Sequence, residues 1–193
     1  MPNSLIKKNF EEHKKLQKIV LDKFEKKIFK ITDQIIKSLL NKKKILWCGN
    51  GGSATDSMHL SAEMVGRFNF NRKPFNSISL ASDIANMTCI SNDFSFENIF
   101  DRQIDAIGSK GDILISLSTS GNSLNIKNAI KMAKKKNIIT ISLLGKSGGK
   151  CRGLSNIEII VPSKSTARIQ EMHMLMGHTI CEIVENKIGK KSK

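Results

Sequence analysis

Residues 45–66, ILWCGNGGSATDSMHLSAEMVG, form the stretch from which the fold of this chain can be interpreted. The apolar run 45–48 has the length of a buried strand, and the Gly-Asn-Gly-Gly sequence at 49–52 is typical of a tight turn. A helical pattern then begins at Ser53. A strand, a glycine turn and a helix N-terminus in this order predict an anion site, because backbone amides and the positive end of the helix dipole face the same point.

Two ionisable side chains, His59 and Glu63, follow within this predicted helix, four residues apart and therefore on one face. A single His/Glu pair at this spacing is more often a solvated helix pair than a site. The neighbouring positions here are mostly small or apolar: Ala54, Met58, Leu60, Ala62, Met64 and Val65. A carboxylate in such surroundings is either paired or has a raised pKa, which suits a general base.

The rest of the chain alternates short apolar runs with helical patterns. Strands are predicted at residues 45–48, 75–80, 113–117, 138–143 and 157–161, and helices at 53–67, 84–91, 96–107, 123–136 and 166–187. Short strands that alternate with helices predict right-handed crossovers and a parallel sheet with helices on both faces. We therefore expect a three-layer α/β fold with a central parallel sheet of about five strands, in a single domain that spans residues 1–193.

A long amphipathic helix is predicted at the N-terminus, over about residues 5–41 and with one break at most. Its apolar side chains recur mostly in steps of three and four residues, at Ile6, Phe10, Leu16, Val20, Phe24, Ile28, Ile31, Ile35 and Leu39. This stripe is longer than one small sheet can cover. We therefore interpret residues 1–44 as an oligomerisation helix that belongs to the same domain.

The formal net charge of +15 raises the question of nucleic-acid binding. Arginine is scarce, tyrosine is absent and there is one tryptophan, whereas proteins that read nucleic acids depend on guanidinium groups and stacking aromatic rings. We interpret the lysines as solvated helix faces, which also attract anionic substrates. No nucleic-acid partner is expected.

The cysteines, Cys48, Cys89, Cys151 and Cys181, are far apart and form no C-x-x-C pair. With no secretory signal at the N-terminus, they are typical of reduced, mostly buried thiols in a cytoplasmic protein. No apolar run has the length of a membrane span. The sequence therefore predicts a cytoplasmic location without a membrane partner.

A second anion site is predicted at residues 118–123, Ser-Thr-Ser-Gly-Asn-Ser, directly after the third strand. Four hydroxyls over six residues exceed what helix capping needs, so phosphate binding is favoured over a simple N-cap. The chain has no GxxxxGK[ST] motif, and the turn at 49–52 lacks the GxGxxG register. Nucleoside triphosphate and dinucleotide sites are therefore disfavoured.

The last predicted helix carries Gln170, His173 and His178 among apolar residues. Gln170 and His178 lie two turns apart on one face, whereas His173 is interpreted as a satisfied core histidine. If this helix met the predicted helix 53–67, Gln170 and His178 could join the His/Glu pair in a mixed nitrogen and oxygen site for zinc or a similar divalent ion.

Together these motifs resemble the sugar isomerase (SIS) domain family and, within it, the phosphoheptose isomerases, over nearly the whole chain. The resemblance rests on residues 48–63 (CGNGGSATDSMHLSAE), 91–93 (SND), 118–123 (STSGNS) and 168–173 (RIQEMH), together with His178. The STSGNS stretch alone would indicate only the wider family, and the combination is much more specific. One departure is Ala167, where some members carry Asp, which affects an accessory polar contact but no core role.

The resemblance implies a homotetramer with active sites at subunit interfaces and one zinc ion per subunit. The implied metal ligands are His59, Glu63, Gln170 and His178, and the implied acid/base pair is Glu63 with His178. The implied substrate contacts are Asn50, Gly51, Gly52, Glu63, Asn92, Asp93, Ser118, Thr119, Ser120, Ser123 and Gln170.

The implied reaction interconverts sedoheptulose 7-phosphate and D-glycero-D-manno-heptose 7-phosphate, the first step of ADP- or GDP-heptose synthesis, through an ene-diol. Glu63 would move a proton between C1 and C2, and His178 would serve the oxygens or open the sugar ring. A metal-bound carboxylate is a poorer base, so the two roles implied for Glu63 oppose each other. Routes to lipopolysaccharide, capsule or another glycan would look the same in this sequence.

A rival hypothesis is a binding protein, because a SIS relative binds the replication initiator DnaA without catalysis. That relative lacks the catalytic Glu and the last His of the pattern, whereas Glu63 and His178 are both present here, which favours the enzyme. A third hypothesis is an isomerase of another sugar phosphate. The GNGG and HxxxE pattern argues against it, although it does not fix the length of the sugar.

Overall fold

A five-stranded sheet forms the centre of the computed structural model, which describes residues 2–189, with side chains from residue 4 onward. The strands are β1 (Ile45–Gly49), β2 (Ser77–Ser79), β3 (Ile113–Ser118), β4 (Ile139–Gly145) and β5 (Ile157–Val161). They lie in the order β2-β1-β3-β4-β5, and every neighbouring pair is parallel. The predicted α/β fold with a parallel sheet of about five strands is confirmed.

Helices connect the strands and flank the sheet. They are α1 (Pro2–Leu40), α2 (Gly52–Val65), α3 (Ile84–Asp93), α4 (Asp101–Ile107), α5 (Leu124–Lys135) and α6 (Thr166–Ile188), with short 3-10 turns at Phe96–Asn98 and Gly149–Cys151. The first and last helices are long, as predicted. Across residues 2–189, none of the helices combines the length and apolar character that a bilayer span requires.

The two faces of the sheet carry separate apolar cores, so the molecule has three layers. On one face α1, α2 and α6 pack through side chains such as Ile31, Leu60 and Met176. On the other face α3, α4 and α5 pack through side chains such as Ile104 and Ile130. Every residue of β1 and β3 is buried because both faces are covered, which explains why these strands appear as near-continuous apolar runs.

The N-terminal helix α1 runs for 39 residues without the break that the sequence allowed. It packs against α6 and β5 and buries Leu16 and Ile31 completely or nearly so. Its apolar stripe is only partly covered, since Ile6 is 57% exposed and Phe10 is 73% exposed. Part of this helix therefore presents an apolar surface outside the core of the chain.

Two predicted element boundaries were wrong for local reasons. The predicted helix 96–107 is a 3-10 turn followed by α4, because Ser95 Oγ accepts the Glu97 N–H and donates to Asn98 Oδ1 (2.9 Å), bonds that compete with a regular helix. The predicted strand 75–80 is shorter, because the Phe75 N–H donates to the Met64 carbonyl of α2 (3.1 Å) rather than to a neighbouring strand.

Three of the four cysteines, Cys48, Cys151 and Cys181, are buried, and Cys89 is exposed. The prediction of mostly buried thiols is confirmed. Burial, together with the charge of nearby Glu63, raises the pKa of Cys181 to about 12. This side chain is therefore a protonated thiol that packs as a small apolar group.

The core histidine that the sequence predicted, His173, is fully buried where α6 crosses β4. Its Nε2–H donates to the Leu144 carbonyl (3.1 Å), and its Nδ1 has no partner among the residues described. Burial lowers the pKa of His173 to about 4, although the bond to Leu144 opposes this shift. The ring is therefore neutral in the folded protein near pH 7.

We expect this histidine to make the folded protein less stable in mild acid. Between about pH 6.5 and about pH 4 the unfolded chain binds a proton at His173 that the folded chain does not, so stability falls by up to about 3 kcal/mol as pH decreases. His173→Gln keeps an N–H for Leu144 and does not titrate. Urea unfolding at several pH values in this range should show that the free energy of unfolding decreases less with falling pH in the variant than in the wild type. An equal decrease in the two proteins would contradict the expectation.

Candidate active site and metal centre

The two predicted anion-binding loops lie at the carboxyl ends of β1 and β3. The strand order reverses between these two strands, and ligands of open α/β sheets bind at such a switch point. Asn50, after β1, and Asn125, in α5, exchange a pair of amide hydrogen bonds of 2.8 and 2.9 Å. Because the Asn50 amide is engaged on both its donor and its acceptor, this pair fixes the distance between the loops.

The turn between β1 and α2 leaves the N-terminus of α2 open. Gly51 is the N-cap residue with φ 54°, a left-handed conformation that favours glycine, and no side chain caps the helix. A Cβ atom at Gly51 would meet nothing within 4 Å, whereas one at Gly52 would lie 2.2 Å from Nε2 of Gln170. The turn thus combines an unobstructed helix N-terminus with close contact to α6, an arrangement suited to binding an anion or sugar oxygens.

The serine loop, residues 118–123, divides its hydroxyls between structure and solvent. Ser118 Oγ accepts the Gly121 N–H (3.0 Å) and Ser120 Oγ accepts the Asn122 N–H (3.1 Å). Ser123 occupies the N-cap position of α5, yet its side chain makes no capping bond. A hydroxyl that stands at a helix N-terminus without capping it can donate to a phosphate oxygen together with the helix amides.

Helices α2 and α6 bring His59, Glu63 and His178 together. Nε2 of His59 lies 3.1 Å from Oε1 of Glu63. The ring centroids of His59 and His178 are 5.0 Å apart, and the two rings are edge to face. One ligand atom from each of the three residues lies within 4.8 Å of the others. The His59 side chain is 51% exposed and that of Glu63 is 24% exposed, so a small molecule can reach the group.

A glycine allows the two helices to approach each other at this point. A Cβ atom at Gly177 would lie 2.6 Å from Cδ1 of the fully buried Leu60, so a larger residue here would require the Leu60 side chain or the helix to shift. Leu60 adjoins His59 and Gly177 adjoins His178, so the contact sets the separation of the two imidazoles. Gly177 was not predicted as a site residue, although a glycine inside an otherwise apolar helical run was an available signal in the sequence.

Asp56 is a second site residue that the sequence analysis missed. It lies three residues before His59 on α2 and near the side-chain amide of Gln170. Burial raises the pKa of Asp56, although the Gln170 amide and nearby His59 oppose this shift. Its Oδ2 atom is buried without a hydrogen-bond partner among the described residues. Its spacing of three and seven residues from the His/Glu pair was the signal that could have found it.

The other predicted site residues lie at different distances from this group. Gln170 contacts the Gly52 turn and Asp56. Asn92 and Asp93 lie exposed in the last turn of α3, where the Asn92 amide donates to Asp93 Oδ1 (2.9 Å). Among the described contacts, none links Asn92 or Asp93 to the loops after β1 and β3.

The three convergent side chains fit a divalent ion of the zinc type. Imidazole nitrogens and a carboxylate oxygen are donors that zinc prefers, and they lie close enough to converge on one ion. The role of Gln170 as a further ligand stays a prediction.

Comparison with known families agrees with this fold. A family model described as a SIS domain matches residues 9–145, which run from α1 to the end of β4 and include both loops. The fold and this match thus define a SIS domain protein.

Similar proteins carry a more specific name. The chain is 44% identical to the phosphoheptose isomerase of Helicobacter pylori strain P12 over 192 residues, covering all of both chains. Solved structures of phosphoheptose isomerases from Francisella tularensis (TM-score 0.93) and Neisseria gonorrhoeae (TM-score 0.90) are each 33% identical to it. The alignments cover 97% and 96% of this chain, respectively, and all of each solved chain. The chain belongs to the phosphoheptose isomerase family.

Replacing His178 with Gln should remove one of the three convergent donors. We expect His178→Gln to bind Zn²⁺ at least about 100-fold more weakly than the wild type, since losing a direct ligand costs more than the loss of an outer-sphere partner. Competition titration with a chromophoric chelator measures this affinity.

The matched control is His13→Gln. His13 also pairs with a glutamate, Glu171, at 2.7 Å and with both side chains partly exposed, but it lies outside the three-residue group. This variant should bind zinc as the wild type does. Equal affinities for wild type and His178→Gln would contradict the assignment.

Proposed function

We propose that this chain is an aldose–ketose isomerase that interconverts sedoheptulose 7-phosphate and D-glycero-D-manno-heptose 7-phosphate, and so begins the synthesis of a nucleotide-activated heptose. The observation that carries this proposal is the convergence of His59, Glu63 and His178 in a chain that also has two anion-binding loops and is related over its full length to phosphoheptose isomerases. The chemistry needs an acid/base pair and a phosphate site within reach of each other.

Proton transfer between C1 and C2 is assigned to Glu63. Aldose–ketose isomerisation requires one group that removes a proton from the carbon next to the carbonyl and returns it to the neighbouring carbon of the ene-diol. A carboxylate suits both steps because it is a base when ionised and an acid once it has taken the proton. Glu63 is 24% exposed and paired with His59 at 3.1 Å, so it is accessible yet held in one orientation.

Proton transfer to and from the oxygens of the substrate is assigned to His178. Its imidazole can donate to, or accept from, the hydroxyl and carbonyl oxygens as the ene-diol forms, and it can assist opening of the sugar ring. It lies on α6, opposite Glu63 on α2, so that the two groups can act on different atoms of one substrate.

We assign the phosphate to the serine loop and the sugar end to the turn at Asn50, Gly51 and Gly52. The free Ser123 hydroxyl and the N-terminal amides of α5 would hold the phosphate oxygens. The proposed contacts from these and other segments are Asn50, Gly51, Gly52, Glu63, Asn92, Asp93, Ser118, Thr119, Ser120, Ser123 and Gln170.

A zinc ion, one per subunit, is proposed to be held by His59, Glu63, Gln170 and His178. The three convergent donors support a cation in this position. When bound, a zinc ion polarises a carbonyl oxygen as a Lewis acid.

We further propose a cytoplasmic homotetramer with sites shared between subunits. Apolar side chains exposed on α1, such as Ile6 and Phe10, support an assembly that covers them. Asn92 and Asp93 lie on an exposed helix, from which they could reach the site of a neighbouring subunit. Free cysteines are typical of the reducing cytoplasm.

Turnover of sedoheptulose 7-phosphate tests the reaction. NMR should show the aldose product with wild-type protein, and a chelator should lower the rate. Glu63→Gln and His178→Gln should each lower kcat by about 100-fold or more, because each removes an acid/base group. Turnover at the wild-type rate by Glu63→Gln would contradict its assignment as the base. No turnover by wild type, with tight binding to the replication initiator DnaA, would favour the binding-protein alternative.

Removing the Ser123 hydroxyl should affect substrate binding without affecting stability. Because it makes no capping bond, Ser123→Ala should keep the wild-type melting temperature, while KM rises about tenfold through loss of one hydrogen bond to a charged group, worth about 1.5 kcal/mol. Ser165, the N-cap of α6, does accept a hydrogen bond from the Arg168 N–H. Ser165→Ala should therefore lose about 1 kcal/mol of stability. An unchanged KM in Ser123→Ala would argue against the phosphate assignment.

A further inference from the structure

A buried ion pair between Arg72 and Glu185 joins the segment after α2 to the end of α6. Nε of Arg72 donates to Oε1 of Glu185 at 3.0 Å, and the two side chains are 1% and 0% exposed. Glu185 also accepts the backbone N–H groups of Phe68 (2.7 Å) and Asn69 (2.5 Å). Burial alone would raise the pKa of Glu185, but these amides and the guanidinium hold it below its usual value, so the carboxylate is charged.

The same guanidinium binds the main chain of the proposed base. Nη2 of Arg72 donates to the Glu63 carbonyl at 2.8 Å, and Nη1 donates to the Met64 carbonyl at 2.9 Å. These carbonyls belong to the last turn of α2, where carbonyls lack partners within the helix and a cation is favourable. The guanidinium also stacks on the Phe75 ring at 3.9 Å. Arg72 thus holds the backbone from which the Glu63 side chain extends.

The Glu185 end of the pair holds an aromatic ring against the other proposed catalytic group. Phe68 donates its N–H to Glu185. The centroid of its ring is 5.9 Å from that of the His178 imidazole, and the two ring planes are at 44° to each other. His178 therefore has two aromatic neighbours, Phe68 and His59, and the centroid of the His59 ring is 5.0 Å away. One buried ion pair therefore binds both the main-chain carbonyl of Glu63 and the main-chain N–H of Phe68, whose ring lies near His178.

We propose that Arg72 and Glu185 are positioning residues for the isomerase site, with Arg72 fixing the main chain of Glu63 and Glu185 fixing the Phe68 segment that orients His178. This inference rests on the proposed function only for its kinetic readout. It makes the relative placement of the acid/base pair depend on an ion pair that touches neither substrate nor metal.

A second buried ion pair provides a matched control. Asp112, at the amino end of β3, is 1% exposed and pairs with Lys44 Nζ at 2.7 Å. Like Glu185 it also accepts two backbone N–H groups, those of Lys44 (3.0 Å) and Ser109 (2.8 Å). It precedes β3, whereas the serine loop follows the other end of that strand, and the described hydrogen bonds and ion pair of its side chain reach Lys44 and Ser109 rather than Arg72 or Phe68. A merely structural role for Glu185 would make the two carboxylates equivalent.

The experiment compares Glu185→Gln with Asp112→Asn in the full-length protein. Urea unfolding, zinc affinity by chelator competition, and kcat and KM for sedoheptulose 7-phosphate are measured at a temperature where both variants are folded. We expect both to lose stability, and only Glu185→Gln to lose about 10- to 100-fold in kcat and in zinc affinity, as is typical when outer-sphere partners of a site are removed. Equal kinetic and zinc parameters in the two variants would overturn the proposal.

Two further variants decide the question if Glu185→Gln does not fold. Arg72→Lys keeps the charge but cannot make the forked bonds to both carbonyls, so kcat should fall while the ion pair is retained. Phe68→Leu leaves the ion pair intact and should weaken zinc binding and kcat without the stability loss. Wild-type values in both variants would overturn the proposal. Absence of turnover in wild type would instead count against the proposed function, and zinc affinity would then test the positioning role.

Discussion

The close packing of α6 against α2 is the contact on which the rest of the site depends. Gly177 lets the backbone of α6 lie against the fully buried Leu60, and the side chains next to this contact are His178 and His59. A β-carbon at Gly177 would lie 2.6 Å from the Leu60 side chain, so either that side chain or the helix would have to shift. The site thus forms from two helices more than a hundred residues apart in the chain, at a place where one residue without a side chain allows them to touch.

Buried polar groups determine the orientation of α2 as well as its distance. Trp47 Nε1 donates to Ser77 Oγ (2.8 Å), which also contacts Ser61 of α2 (3.1 Å), and Ser57 of the same helix contacts Ser79 (2.8 Å). Apolar contacts alone would tolerate a small rotation of the helix. A hydrogen-bonded hydroxyl inside the protein does not, because breaking its bond leaves an unpaired polar group. These bonds to β2 therefore keep the other face of α2, with His59 and Glu63, directed toward α6.

Much of the fold and several features of the site could be predicted from residue types and spacing. The apolar runs of β1 and β3 and the glycine and serine loops are local patterns, and the structure places both loops at the switch point of the sheet. The errors were also local: Ser95 and Asn98 interrupt a helix that periodicity alone would continue. Asp56 and Gly177 were not predicted, because the position of an acid on a helix or a glycine in an apolar run gains meaning only from the helix that packs against it. Gln170 of α6 lies near Asp56, and Leu60 of α2 lies against Gly177.

The sequence by itself determined the parallel α/β architecture, the positions of two anion-binding loops and the residue types available for acid/base chemistry. These depend on hydrophobic period and turn residues, which act over a few positions. Only the tertiary structure decided that His178 meets His59 and Glu63, that the Asn50 amide is engaged by Asn125, and that Glu185 lies behind Phe68. Such contacts arise from packing between distant segments, and a pattern confined to one segment carries no information about which other segment will lie against it.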